Sequence, residues 1–302
     1  MDIFNMTECR LCPRECGTDR TKGEKGVCGA SDKIICACAS LHQWEEPCLS
    51  GDKGSGTVFF SGCNMGCVFC QNGQISHGGK GIKISPDRLC EIFFELRDAG
   101  AHNINLVTAG HFLPQVLLAV EKAKLQNIGI PFVYNSSGYE KREAIAKCEG
   151  LIDIFLPDFK YIENENAKKY SNAPDYPEIA KEAIEEMVTQ QPECIFDDGG
   201  LIERGVIVRH MMLPSHLRES KKIIKYLHDT YGDKIFISIM SQYTPVGNLE
   251  KFPELMNKVS KKDYDKLVDF AIELGVENAF IQEGEAAQES FIPEFSGEGI
   301  EG

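Results

Sequence analysis

The sequence predicts an α/β fold: a parallel sheet wound as a partial barrel of six βα units, preceded by a cysteine-rich loop module. Three observations predict it. Short apolar runs alternate with amphipathic helical stretches from residue 57 to residue 282, the pattern of βαβ units. The apolar runs are continuous rather than alternating, as expected of strands buried on both faces. Ten of the 13 cysteines fall before residue 71, which sets the first part of the chain apart.

Three segments follow from this. Residues 1–50 are rich in Cys, Gly and charge, carry few periodic apolar runs, and read as a loop module held by a metal or cluster. Residues 51–290 read as the barrel. Residues 291–302 read as a tail, disordered from Ser296 onward because the stretch is rich in glycine.

Within the barrel, residues 57–62 form the first strand, ending in Ser-Gly. Residues 86–99 form a helix, with Ser85 as N-cap, Pro86 at the first helical position and Gly100 past the end. Leu89, Ile92, Phe93 and Leu96 share its apolar face. Strands follow at 103–108, 131–135, 151–156, 205–210 and 234–239, with a short one at 279–282. Helices are expected at 114–126, 141–147, 176–190, 218–229 and 263–274.

A hydrophobic fraction of 42% allows a real core, and a net charge of −14 argues against a nucleic-acid binder, which needs a basic face. The first residues are not a basic segment followed by an apolar one, and no apolar run approaches the ~20 residues of a membrane span. The expectation is a cytoplasmic protein without membrane contact. In that compartment, clustered cysteines point to metal or cluster ligation rather than disulfides.

Cys63, Cys67 and Cys70 stand as C-x3-C-x2-C directly after the first strand. Three thiolates on one tight loop suit three irons of a [4Fe–4S] cubane, which normally takes four cysteines. The fourth iron is then open to a chelating substrate. Gly62 and Gly66 let the loop fold closely, and Phe69 lies inside the motif. The alternative is a zinc loop or a set of buried thiols, although zinc sites usually show paired C-x2-C elements and four ligands.

With its flanks Glu45-Glu-Pro-Cys-Leu-Ser-Gly51, Gly54-Ser-Gly-Thr-Val-Phe-Phe-Ser-Gly-Cys63 and Cys70-Gln-Asn72, the motif resembles the radical S-adenosylmethionine (SAM) superfamily. Within it, the chain is similar to the uncharacterised iron–sulfur proteins related to pyruvate formate-lyase activating enzyme. The resemblance runs from Cys9 to Glu283 and implies a partial (βα)6 barrel, a [4Fe–4S] cluster and SAM. It also implies an activity: reductive cleavage of SAM to a 5′-deoxyadenosyl radical that abstracts hydrogen, with flavodoxin or ferredoxin as reductant.

At individual residues the resemblance implies more. The Gly-Gly-Glu that meets the SAM amino group in the activating enzymes is here Thr108-Ala-Gly-His111, so the Glu is absent and Thr108 is the nearest substitute. Asn135 and Ser137 sit in the turn after the third strand, where they would line the site or simply build the turn. Asp158-Phe-Lys160 resembles the family's Asp-x-Lys, whose Lys approaches the SAM carboxylate, a charge-assisted contact. At the end of the fifth strand Arg209 or His210 reaches SAM, His210 being expected at the ribose. Gln242 and Tyr243 would face the substrate.

Cys9, Cys12, Cys16 and Cys28 form a second constellation, suited to structural zinc or an auxiliary iron–sulfur cluster, or left as free thiols. Cys36, Cys38 and Cys48 could replace some of them, whereas Cys90, Cys148 and Cys194 are scattered and read as inert. Three functions remain open from sequence. One is activation of a glycyl radical enzyme on a partner protein. Another is radical modification of a small molecule or peptide. The last is iron–sulfur or zinc binding without SAM chemistry.

Overall fold

Each apolar run becomes a strand of one sheet in the computed structural model, which describes residues 2–77, 79–282 and 295–301. The strands are β1 (Ile34–His42), β2 (Ser55–Phe60), β3 (Ile82–Ile84), β4 (Ile104–Val107), β5 (Phe132–Ser136), β6 (Ile154–Pro157), β7 (Ile195–Phe196), β8 (Ile202–Met211), β9 (Phe236–Met240) and β10 (Ala279–Ile281). The helices are α1 (Pro47–Ser50), α2 (Gly73–Ser76), α3 (Pro86–Asp98), α4 (Leu113–Leu125), α5 (Arg142–Ile145), α6 (Asn164–Ser171), α7 (Tyr176–Gln190), α8 (Leu217–Tyr231) and α9 (Lys261–Leu274).

Among the described residues the strand order is β10-β9-β8-β6-β5-β4-β2-β1-β3, with β7 paired to β8 off this path. All neighbours from β10 to β2 are parallel. This is the expected partial barrel of six βα steps, with β10 as the short last strand. Both faces of the strands are buried: Ile104, Leu106, Phe132, Val133, Phe155, Leu156, Val206, Ile207 and Val208 are wholly or almost wholly shielded.

Helix boundaries follow local chemistry. Ser85 Oγ accepts the Arg88 N–H at 3.1 Å, so α3 begins where its cap allows. The last long helix starts at Lys261, two residues before the sequence reading, because Ser260 caps it through the Asp263 N–H.

Two segments differ from expectation. Residues 34–42, inside the stretch that composition marks as loop, form β1, antiparallel to both β2 and β3. The glycine-rich tail is not disordered over 295–301. Gly297 N–H donates to Ala37 O at 3.0 Å and Ala39 N–H donates to Glu298 O at 2.9 Å. Ile300 is buried, and Arg88 Nε donates to its carbonyl at 3.0 Å. The physical reason is the same for both: β3 covers only the start of β1, and the backbone groups beyond it need partners. Among the described residues no helix is long and apolar enough to cross a membrane.

Candidate active site

The C-terminal ends of parallel strands are where α/β folds gather chemistry. Here they border a cavity of about 660 Å³, inside the range of about 300–1,000 Å³ that takes a drug-sized ligand.

β2 delivers the chain to the cysteine loop. Gly62 there has φ +94°, and a Cβ on it would stand 2.5 Å from Cys28 O, so only glycine fits against the amino-terminal module. Cys63, Cys67 and Cys70 all line the cavity, and no other cysteine among the described residues does. Each sulfur accepts a hydrogen bond: Cys63 from Met65 N–H at 3.4 Å, Cys67 from Ser171 Oγ at 2.9 Å, Cys70 from Ser76 Oγ at 3.4 Å. Burial pushes the Cys63 thiol up to about 12 and raises Cys67 too, against the pull of the Lys160 ammonium. Loading metal on these thiols therefore releases protons. Phe69 lines the same wall, its ring edge-on to Tyr243 at 6.0 Å.

Across the cavity lies a charge array. Lys160 Nζ donates to Asp158 Oδ2. Arg209 Nε lies 3.3 Å from Asp158 Oδ1, its Nη1 donates to Glu45 Oε2 at 3.0 Å, and its Nη2 donates to Asn135 Oδ1. Asn105 Nδ2 closes the chain on Glu45 Oε1 at 2.9 Å. Burial opposes ionisation of Asp158, yet the two cations beside it hold its carboxyl below the usual range. Lys160 is raised for the converse reason: burial opposes its charge, but Asp158 and Cys67 outweigh it. The Tyr176 hydroxyl fixes this side of the site. It accepts Lys160 N–H and lies 2.9 Å from the carbonyls of Ser137 and Asp158, tying the loops after β5 and β6 together.

Thr108, Asn135, Ser137, Asp158, Lys160 and Phe69 thus share one cavity. Thr108 ends β4 with φ +59°, a left-handed backbone uncommon for a β-branched residue and the kind of strain that collects at working sites.

Two expectations, for His210 and Tyr243, are corrected, and His111 is placed outside the cavity. His210 does not reach the cavity: its Nδ1 pairs with Phe159 O at 2.8 Å and its Nε2 with Ser220 Oγ at 2.9 Å, so it points outward to α8, and Arg209 takes the inward position. His111 is buried and bonded through Nε2 to Ser61 O at 2.8 Å, bracing the cysteine loop from behind. Tyr243 is buried and donates to Leu255 O, leaving Gln242 as the cavity residue.

The two histidines carry a pH dependence. Burial lowers both from 6.5 to about 4. The unfolded chain therefore accepts protons below pH 6.5 that the folded state refuses until about pH 4. Stability is expected to fall as pH drops through that window, by up to about 3 kcal/mol for each histidine. Urea midpoints from pH 7 to 4 measure it, and the slope should flatten in His210→Gln.

Cys9, Cys12, Cys16 and Cys28 lie in the loop module preceding β1, with Cys9 and Cys28 buried and Cys16 exposed. The buried Arg20 holds the module together by donating to Ser31 O, and the module is docked by Arg14, whose guanidinium donates to the carbonyls of Asn64, Met65 and Ser171, and by Cys63 N–H, which donates to Cys28 O at 3.2 Å. Among the described residues no three His, Cys, Asp or Glu side chains are placed together as ligands of a single metal ion. Cys36 and Cys48 are core residues in β1 and α1, and Cys38 packs with Phe59 and Ile75.

The family model of the radical SAM superfamily matches residues 57–227, more than half of the chain. The chain belongs to the radical SAM superfamily. An uncharacterized protein of Methanocaldococcus jannaschii, MJ0674, is 28% identical over 271 residues, 87% of this chain and 74% of that protein. Solved structures with similarity include Streptococcus suis SuiB bound to S-adenosylmethionine (TM-score 0.49, 12% identity, 74% of this chain and 49% of SuiB) and methylornithine synthase, PylB (TM-score 0.46, 12% identity, 72% and 60%). The chain spans about half the length of SuiB.

A radical SAM protein implies a [4Fe–4S] cluster and SAM, and the donor set fits both. The thiolates of a cubane each bind a different iron, so they stand farther apart than ligands of one ion, and the three thiols share one cavity wall without a fourth. Lys160 offers an ammonium to a carboxylate-bearing ligand on the facing side. Sequence reasoning missed Glu45, Glu46 and Tyr176 as parts of this radical SAM site. The Glu45-Glu46-Pro47 segment stands in the family-like stretch, but its lack of period gives no sign that it enters the barrel.

Proposed function

We propose that this radical SAM enzyme acts on a small molecule or a side chain entering the barrel, with Cys63, Cys67 and Cys70 as cluster ligands and Asn135, Ser137, Asp158 and Lys160 around SAM. The observation that carries this reading is one cavity lined by the three thiols, Lys160 and the carboxylates of Glu45 and Glu46. A [4Fe–4S] cluster would be held by Cys63, Cys67 and Cys70 and would supply the one-electron reduction of SAM from which hydrogen abstraction at a substrate begins. Ser171, Ser76 and the Met65 N–H stabilise the thiolates by hydrogen bonding. Lys160 binds a carboxylate while Asp158 holds its ammonium in place. Phe69, braced by Tyr243, shields the reacting region from water. A low-potential flavodoxin or ferredoxin serves as reductant. A glycine on a partner protein offers no charge to these carboxylates, which favours the smaller substrate.

Anaerobic reconstitution with iron and sulfide, reduction with dithionite and addition of SAM is expected to yield 5′-deoxyadenosine by chromatography. The Cys63→Ala/Cys67→Ala/Cys70→Ala variant should yield none. A fully loaded wild-type cluster that forms no 5′-deoxyadenosine would overturn the reading and leave a metal-binding protein without SAM chemistry.

A further inference from the structure

Three carboxylates line the cavity, Glu45, Glu46 and Asp158, against two cations, Lys160 and Arg209. Glu45 has both oxygens engaged, one by Asn105 and one by Arg209. Asp158 is held by Lys160 and Arg209. Glu46 also lines the cavity and is only 7% exposed, yet it makes no ion pair among the described residues, and its buried Oε2 has no hydrogen-bond partner there. A buried carboxylate oxygen without a donor is costly, so such a group is kept paired, neutral or waiting for a partner.

The surroundings say which partner. Burial raises the Glu46 carboxyl and neighbouring Glu45 adds to the rise, while Arg209 opposes it from beyond ion-pair distance and the Ser238 hydroxyl and the residue's own N–H oppose it more weakly. Trp44 and Phe280 also line the cavity, and aromatic faces favour cations over anions. A ligand bringing a positive charge here would meet an unpaired acceptor, a second carboxylate beside it and aromatic walls. An anion would meet repulsion, and a neutral group would leave Oε2 without a strong donor.

We infer that Glu46 anchors a positively charged group of the substrate, an organic ammonium or guanidinium, so that the substrate of this enzyme is an organic cation. The inference rests on the cavity being the reaction site proposed above. It adds a specificity-determining residue and a substrate class to that reading.

The test uses the full chain with its cluster loaded, with and without SAM. Titration calorimetry compares n-hexylammonium and n-hexylguanidinium with 1-hexanol and hexanoate, and Trp44, the single tryptophan, reports fluorescence changes at the site. Both cations are expected to bind at least about tenfold tighter than hexanol, with hexanoate weakest, as a charge-assisted contact requires. The better of the two cations then identifies the group. Glu46→Gln should lose that advantage while binding hexanol as before, and Glu46→Asp should retain part of it. Iron content and SAM affinity of the variants check that the cavity is intact. Cations binding no better than hexanol, or equally well to Glu46→Gln, would overturn the inference. So would a Glu46→Gln variant whose main loss is SAM affinity, since Glu46 would then serve SAM. A wild type that binds the cations through Glu46 but no SAM would sink the radical SAM reading and leave the cation site standing.

Discussion

Arg209→Met is expected to lower the free energy of unfolding by about 3–5 kcal/mol, the cost of removing one partner from a buried ionic network. Methionine keeps the apolar stem but not the charge. Glu45 then retains only Asn105, Asp158 retains only Lys160, and Asn135 loses the donor on its Oδ1. Burial would raise the abandoned carboxyls, so the loss should be largest at high pH, where they are forced to ionise. Adding Glu45→Gln should recover part of the stability, because it removes the charge that Arg209 had compensated. Urea unfolding at pH 7 measures both variants. A loss below about 1 kcal/mol for Arg209→Met would mean that the network orders the site without supporting the fold.

Glu140→Gln should have an effect of similar size and opposite sign at alkaline pH. Glu140 follows β5 and is pressed against the turn at Gly110, where a Cβ would stand 2.5 Å from its Oε1. Burial pushes its carboxyl from 4.5 up to about 8, with the nearby Tyr134 hydroxyl opposing the shift. The folded chain thus keeps a proton between pH 4.5 and 8 that the unfolded chain gives up. Wild-type stability from this group is intact below pH 4.5 and is lost as pH rises through about 8, by up to about 5 kcal/mol. Glutamine has no proton to lose. The variant should gain on the wild type steadily from pH 5 to 8.5 in denaturant midpoints. Parallel curves across that range would show that Glu140 is ionised in the folded state. This trend opposes that of His111 and His210, whose window lies between pH 4 and 6.5.

The sequence carried the period of the barrel but not its phase. Alternation of strands and helices, the caps at Ser85 and Pro86, and the cysteine loop after the first strand were all readable because they are local. Asp158 and Lys160 were readable through the resemblance to the family's Asp-x-Lys, and both follow β6 into the cavity. Arg209 and His210 were not separable: Val206, Ile207 and Val208 before them are all fully buried, so no polar residue marks which face looks inward. Once the sheet is built, Ile207 and Arg209 share the interior side, and His210 falls to α8. Glu45 and Glu46 were hidden for another reason. They sit in a non-periodic connection whose position depends on distant contacts, such as Asn103 Nδ2 donating to Leu49 O at 2.8 Å. The tail was misread because glycine-rich composition signals freedom only where no strand edge offers hydrogen bonds.

That edge has a consequence for how the chain is made. The bonds joining Ala37 and Ala39 to Gly297 and Glu298 link residues some 260 positions apart, among the costliest closures a chain can make. During synthesis β1 emerges early, while the segment that covers its remaining backbone groups emerges only after all six βα units. Throughout that interval β1 presents an open template to any extended chain nearby. The seven residues from 295 to 301 close that edge last, so the exposure to self-association ends only once they are made and docked.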